Sequence, residues 1–212
     1  MIFIPVIVRQ ANSKSVTQTT AVILASILLV FKVGEPIYRI AIGEAWQTQL
    51  PLQLCDIGAI AIALFLLRDN SLLFKLGYFW GLGGGIQSIL TPDLQVGFPH
   101  INFFFYFVPH GLSMVCVLYA IVVFKHRPSL KSVSQVFLIT LLYAAIIYPV
   151  NILLDANYLF LMSKPHGTTL LTFLGPWPWY ILSLMGVAFF VFFIYYSPYL
   201  VIDFIKRRKI EG

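Results

Sequence analysis

Two side chains in this 212-residue chain place a nucleophile and a base within apolar sequence. Cys55 stands in Leu50-Pro51-Leu52-Gln53-Leu54-Cys55-Asp56, and His110 in Phe107-Val108-Pro109-His110. A thiol with an imidazole base can take an acyl group as a thioester and pass it on, splitting one difficult transfer into two easier steps. A thiol in apolar surroundings needs such a base, or a cation, close by. His110 is the one histidine well inside a predicted span; His100, His126 and His166 fall in loops. A lone buried histidine also occurs as plain hydrogen-bonded core, but Pro109 tends to kink the helix where this one sits. A carboxylate beside Cys55 works against activation of the thiol. That leaves Asp56 to orient a histidine or to cap a neighbouring helix. Gln53 and Asp56, three apart, are expected on one helical face, with Cys55 about 100° round from Asp56 and still able to face the same cavity.

The composition says what must hold these groups. Hydrophobic residues make up 59% of the chain and charged residues 10%, which predicts an all-α, polytopic membrane helix bundle. No polar segment is long enough to fold alone, so residues 1–212 read as a single integral membrane domain. Six spans are predicted, at 16–33, 51–67, 72–90, 101–124, 133–154 and 177–196, each near the ~20 residues that cross a bilayer. Residues 1–8 are apolar but too short to span, and read as an interfacial piece or the remnant of a seventh helix. No small-residue cleavage site follows the first apolar run, so no removable signal peptide is expected.

The net charge of +6 does not point to nucleic acid, because the basic residues lie between apolar runs. Eleven of the 14 Lys and Arg fall on one side of the predicted bundle, ending in Lys206, Arg207, Arg208 and Lys209. Only Lys32, Arg39 and Lys164 fall on the other. The positive-inside bias therefore predicts a multi-pass protein of the cell membrane with its carboxy terminus in the cytoplasm. Cys55 then lies at the outer end of its span.

The polar residues share that asymmetry. Glu35, Gln53, Asp56, Gln87, Asp93, Asn151, Asp155, Asn157 and Tyr158 cluster at the predicted outer ends, while the inner ends carry little but Lys and Arg. A channel or transporter more naturally places polar groups at mid-depth on broken, repeated helices. A one-sided cavity facing the outer leaflet fits better, with Glu35, Gln53, Asp56, Asp93, Asn151, Asp155, Asn157 and Tyr158 as its candidate substrate-binding residues. Glu35 either faces that cavity or pairs with Lys32 at the interface. Gly77, Gly81 and Gly85, joined by Gly83 and Gly84, form a small-residue stripe that suits close helix approach. A phosphate loop is excluded, since no strand precedes the glycines and no lysine follows. Cys116, among Met114, Val117 and Leu118, reads as core. Cys55 and Cys116 lie at depths of about 7 and 22 Å, too far apart for a disulfide. His110 and Cys55 have no further ligands at metal-binding spacing, and no nucleotide, haem or flavin signature is present, so no metal and no cofactor are expected.

Leu50–Asp56, Leu90-Thr91-Pro92-Asp93, Phe107–His110, Asn157-Tyr158-Leu159-Phe160-Leu161 and Gly175-Pro176-Trp177-Pro178-Trp179-Tyr180 together resemble one family. It is the bacterial YwaF-like integral membrane family, similar to the eukaryotic transmembrane protein 164 group. The resemblance runs from about Glu35 to about Tyr196. The resemblance to the eukaryotic group implies an acyltransferase that moves fatty acyl chains onto ether phospholipids with a cysteine and a histidine, which match Cys55 and His110. The family commonly shows histidine where Gln53 stands, so no role for that imidazole carries over. It also tends to have a further amino-terminal helix.

Two functions are expected from these residues. The first is a membrane-embedded lipid acyltransferase, or a hydrolase if water accepts the acyl group, acting on membrane phospholipid or another fatty-acyl substrate. Its nucleophile is Cys55, its base is His110, and Gln53, Asn151 or Asn157 stabilises the oxyanion. The alternative is a non-enzymatic substrate-binding or transport subunit, in which Glu35, Asp56, Asp93 and Asp155 meet a polar solute and Cys55 merely packs. An enzyme requires the Cys55 sulfur within about 4 Å of a His110 nitrogen, with looser contacts allowed before substrate binds, whereas a separation beyond about 8 Å with no mobile element between them favours the binder.

Overall fold

Hydrocarbon offers backbone amides no partner, so apolar spanning segments fold as helices that satisfy their own N–H and C=O groups. The computed structural model describes residues 3–92, 94, 96–165 and 169–211. Among them are seven α-helices and no strand: α1 (Ile4–Ala11), α2 (Lys14–Ala41), α3 (Leu54–Arg68), α4 (Ser71–Leu90), α5 (Ile101–Val122), α6 (Leu130–Leu154) and α7 (Trp179–Glu211). Short 3-10 turns occupy Trp46–Thr48, Tyr158–Phe160 and Leu170–Phe173. Four helices are long and apolar enough to cross a membrane: α2, α5, α6 and the Trp179–Lys206 part of α7. The other two predicted spans are also helical. At 15 residues α3 is short, and α4 dilutes its apolar residues with five glycines, Lys75 and Gln87. Both face protein: Ala59, Ile62, Ala63 and Phe65 of α3 and Phe74, Phe79 and Trp80 of α4 are buried.

The structure shifts several predicted boundaries. Gly34 and Pro36 disfavour a helix interior, yet α2 runs on to Ala41. Ion pairs support the extra turns, since Arg39 Nε lies 3.0 Å from Glu35 Oε1 one turn away. Pro51 was expected in the first turn of its helix, but α3 begins at Leu54 and Gln53 is its extended N-cap residue. Hence Gln53 and Asp56 do not share a helical face. α7 continues to Glu211, well past its predicted end.

The two ends of the bundle differ as the charge pattern predicts. At one end, His126 Nε2 sits 2.8 Å from Asp69 Oδ1, and Arg127 pairs with Asp203, fastening the α5–α6 turn to the α3–α4 turn and to α7. Phe65 and Phe74 pack on the His126 ring, at centroid distances of 4.8 and 5.3 Å. α1 lies at this end too, burying Pro5 and Val8 and exposing Phe3, Val6 and Ile7. Cys116 is fully buried in the core that joins α2, α3, α4 and α5. The opposite end carries Cys55.

Candidate active site

Helix α4 sets the distance between the two reactive helices. Its glycines let α3 pack on one side at separations that no side chain tolerates, while α5 packs on the other at looser contact distances. A Cβ on Gly77 would meet Ile62 Cβ at 2.6 Å, and one on Gly84 would meet Cys55 Cβ at 2.8 Å. Gly58 returns the close approach from α3, where a Cβ would lie 2.6 Å from the Gly81 nitrogen. Towards α5, a Cβ on Gly85 would sit 3.7 Å from the carbonyl oxygen of His110. The glycine stripe therefore brings Cys55 and His110 against the same helix.

His110 is buried, and its Nδ1 lies 2.6 Å from the carbonyl oxygen of Tyr106. A carbonyl only accepts, so Nδ1 carries the proton and the neutral ring presents an unprotonated Nε2. That nitrogen is buried and has no partner among the described residues. Tyr106 is fixed in turn, its hydroxyl donating to the carbonyl of Ser88 at 3.1 Å.

Asp56 neither orients the histidine nor caps a helix. It holds Lys32, whose Nζ is 2.6 Å from Asp56 Oδ1, and the lysine is only 5% exposed. Glu35 does not pair with Lys32 as one reading had it; it pairs with Arg39, which also reaches Glu44 Oε1 at 3.2 Å. Two cations thus face three carboxylates at this end, and the pairing offsets part of the cost of burying them.

A strap from Asn157 to Leu161 closes the site. Asn151, buried at the end of α6, grips Tyr158 twice: its Oδ1 accepts from the Tyr158 N–H at 2.8 Å and its Nδ2 donates to the Tyr158 carbonyl at 2.9 Å. The Tyr158 hydroxyl donates to the Gln47 carbonyl at 2.7 Å and accepts from the Leu50 N–H at 2.9 Å. Asn157 holds the far side of the strap through Met162 and Ser163. Gln53 Oε1 accepts from the Leu159 N–H at 2.9 Å, and the Tyr180 hydroxyl donates to the Phe160 carbonyl. Asp155 is the exposed left-handed residue that ends α6. Asn151, Asp155 and Asn157 line neither cavity described below, and Asp93 lies outside the described residues.

Two chambers meet at Cys55 and His110. A polar one of about 430 Å³ is lined by Lys32, Glu35, Arg39, Asp56 and Tyr158 among others. An apolar one of about 510 Å³ runs between α4, α6 and α7, past Phe79, Leu141, Ala144, Leu184, Ala188 and Val191. Five residues belong to both: Gln53, Cys55, Tyr106, His110 and Phe160. A thiol and a histidine with a vacant ring nitrogen therefore stand where a charged compartment opens onto a greasy one.

The family model described as the TMEM164 family matches residues 1–196. The chain belongs to the TMEM164 family. No curated protein and no solved structure matches it. The TMEM164 match takes in α1 and α2 as well as the segment where the sequence resemblance was read, and it stops before the basic tail. Both chambers and all five of their shared residues lie within it.

Sequence reasoning passed over Lys32, Tyr106 and Phe160. Lys32 read as one of three cations on the sparsely charged side, and its burial follows from α2 running deeper than its apolar stretch. A lysine inside a helix with an aspartate in another predicted span was the available signal. Phe160 lies in the motif Asn157–Leu161 that carries part of the family resemblance, but as one of 19 phenylalanines it was assigned no role.

Proposed function

We propose that this TMEM164 family protein is a membrane-embedded lipid acyltransferase working through a Cys55 thioester. One observation carries the reading: Cys55 and His110 both line a polar and an apolar chamber where the two adjoin. An acyl ester has the same division, a charged headgroup on one side of its carbonyl and a hydrocarbon chain on the other. In the first half-reaction His110 Nε2 takes the Cys55 thiol proton, and the sulfur attacks the ester carbonyl carbon. The carbon–oxygen bond to glycerol breaks, and the departing oxygen recovers the proton from His110. In the second, an acceptor hydroxyl gives its proton to Nε2 and attacks the thioester carbon, and the released sulfur is reprotonated. Water in the acceptor's place would make the protein a hydrolase.

Several features support this chemistry. Cys55 lies in the first turn of α3, where unpaired N–H groups supply partial positive charge. Gln53 spends its Oε1 on the strap, which leaves its amide N–H groups as donors at the boundary, where an oxyanion would form. We read α3 and α4 as two further spans, making six, and the basic end as cytoplasmic by the positive-inside bias. The polar chamber then opens to the outer side and the apolar one to the outer leaflet.

Intact-mass spectrometry of the purified full chain tests the reading, with and without neutral hydroxylamine, after incubation with phospholipid. A hydroxylamine-labile adduct of fatty-acyl mass that disappears in Cys55→Ala is the expected result. No adduct on the wild type would sink the transferase. The charged chamber would then favour a binding or transport subunit that contacts a polar solute through Glu35 and Asp56.

A further inference from the structure

Leu159 and Phe160 are consecutive non-glycine residues in the left-handed region, with φ of 59° and 53°. Each such residue is strained and persists only where the surroundings over-determine it, which happens most often at clamps and active sites. Here the surroundings do so. Gln53 takes the Leu159 N–H, the Tyr180 hydroxyl takes the Phe160 carbonyl, Asn151 holds both backbone groups of Tyr158, and Trp177 Nε1 reaches the Leu161 carbonyl at 3.2 Å. The anchors come from α3, α6 and α7, the helices around the apolar chamber, and from the segment leading into α7. The turn has one visible product: Phe160 lines both chambers, as Cys55 and His110 do. The other aromatic residue of that boundary, Tyr106, is part of α5 and needs no such contortion.

We infer that Phe160 is the specificity-determining partition of the site, a side chain on an anchored backbone at the chamber boundary it shares with Cys55, and that it decides which ester of a diacyl lipid is presented to the thiol. This rests on the acyl-transfer reading above. A ring carried on a backbone anchored on both sides narrows the opening through which an acyl chain enters the apolar chamber. Only one approach of the carbonyl then reaches attack geometry. The two esters of a glycerophospholipid differ in the bulk beside their bridging oxygen, one on a primary carbon and one on a secondary carbon. A narrow, rigid opening discriminates between them by that bulk.

The test uses vesicles of a phosphatidylcholine whose two chains differ in mass, and reads the mass of the adduct on Cys55. The wild type is expected to carry one chain over the other by about tenfold or more, as one or two lost contacts at a site typically give. Phe160→Gly keeps the left-handed backbone without penalty and removes the ring. It should form the adduct with the two chains near parity. Phe160→Tyr, which keeps the ring, should retain the wild-type preference. Parity in the wild type, or an undiminished preference in Phe160→Gly, overturns the partition while leaving the thioester intact. Absence of any adduct on the wild type fails the acyl-transfer reading itself, and the partition with it.

Discussion

The Nδ1 atom of His110 lies 2.6 Å from the carbonyl oxygen of Tyr106, so the imidazole is oriented by its own helix rather than by a carboxylate. The nearest candidate carboxylate, Asp56, is committed to Lys32. Backbone orientation fixes the tautomer with Nε2 open, which is the form a base needs. His110→Ala should lower the rate of Cys55 acylation by about 10²–10⁴-fold, the usual worth of a positioned acid–base group. Time-resolved intact mass after mixing with phospholipid vesicles checks it. An unchanged rate would remove His110 from the mechanism.

The Lys32–Asp56 pair joins α2 to α3 at a site where the lysine is almost wholly buried. Lys32→Met strands the aspartate and should destabilise the protein by about 3–5 kcal/mol. Lys32→Met combined with Asp56→Leu removes both charges and should recover most of that loss. Thermal unfolding in one detergent compares the three proteins. Equal melting temperatures in the single and double variants would show that the stranded charge is not what destabilises.

Gly84 separates stability from placement. A Cβ there would lie 2.8 Å from Cys55 Cβ, whereas one on Gly186 meets nothing within 4 Å. Gly84→Ala should therefore displace the nucleophile and cut acylation by about 100-fold, the scale of a 1 Å misplacement. Gly186→Ala should leave both acylation and melting temperature close to the wild type. A Gly84→Ala protein that acylates normally would mean the α3–α4 spacing is not what positions the thiol.

Gln53 has two separable tasks. Gln53→Ala leaves the Leu159 N–H without its acceptor, at a cost of about 1–3 kcal/mol. Gln53→Glu keeps that acceptor but loses the amide donors, so it should fold normally and acylate slowly. Melting curves and adduct kinetics, run side by side, tell the two tasks apart. Equal rates in Gln53→Glu and wild type would take the oxyanion role from this side chain.

Orientation is checked by a fusion to the carboxy terminus. A reporter active only in the cytoplasm should be active there, and one that requires export should be silent. The opposite pattern would reverse the leaflet to which the chambers open.

The sequence alone determined that this is an all-helical membrane protein, because apolar runs of spanning length leave the backbone no other way to satisfy itself. It also set apart the two ends, since basic residues gather beyond one set of helix ends and polar ones at the other. The motif around Cys55 and the proline-containing segment before His110 were legible because polar groups stand out against hydrocarbon. What it left open were the contacts between distant segments. That Asp56 meets Lys32 rather than a histidine depends on α2 continuing through Gly34 and Pro36, which local propensity argues against. That Asn151 and Asn157 hold the strap depends on a left-handed turn at Leu159 and Phe160 that no glycine announces. The chambers themselves exist only once α6 and α7 lean on α4, since a cavity is the space between elements and no single stretch of residues encodes it.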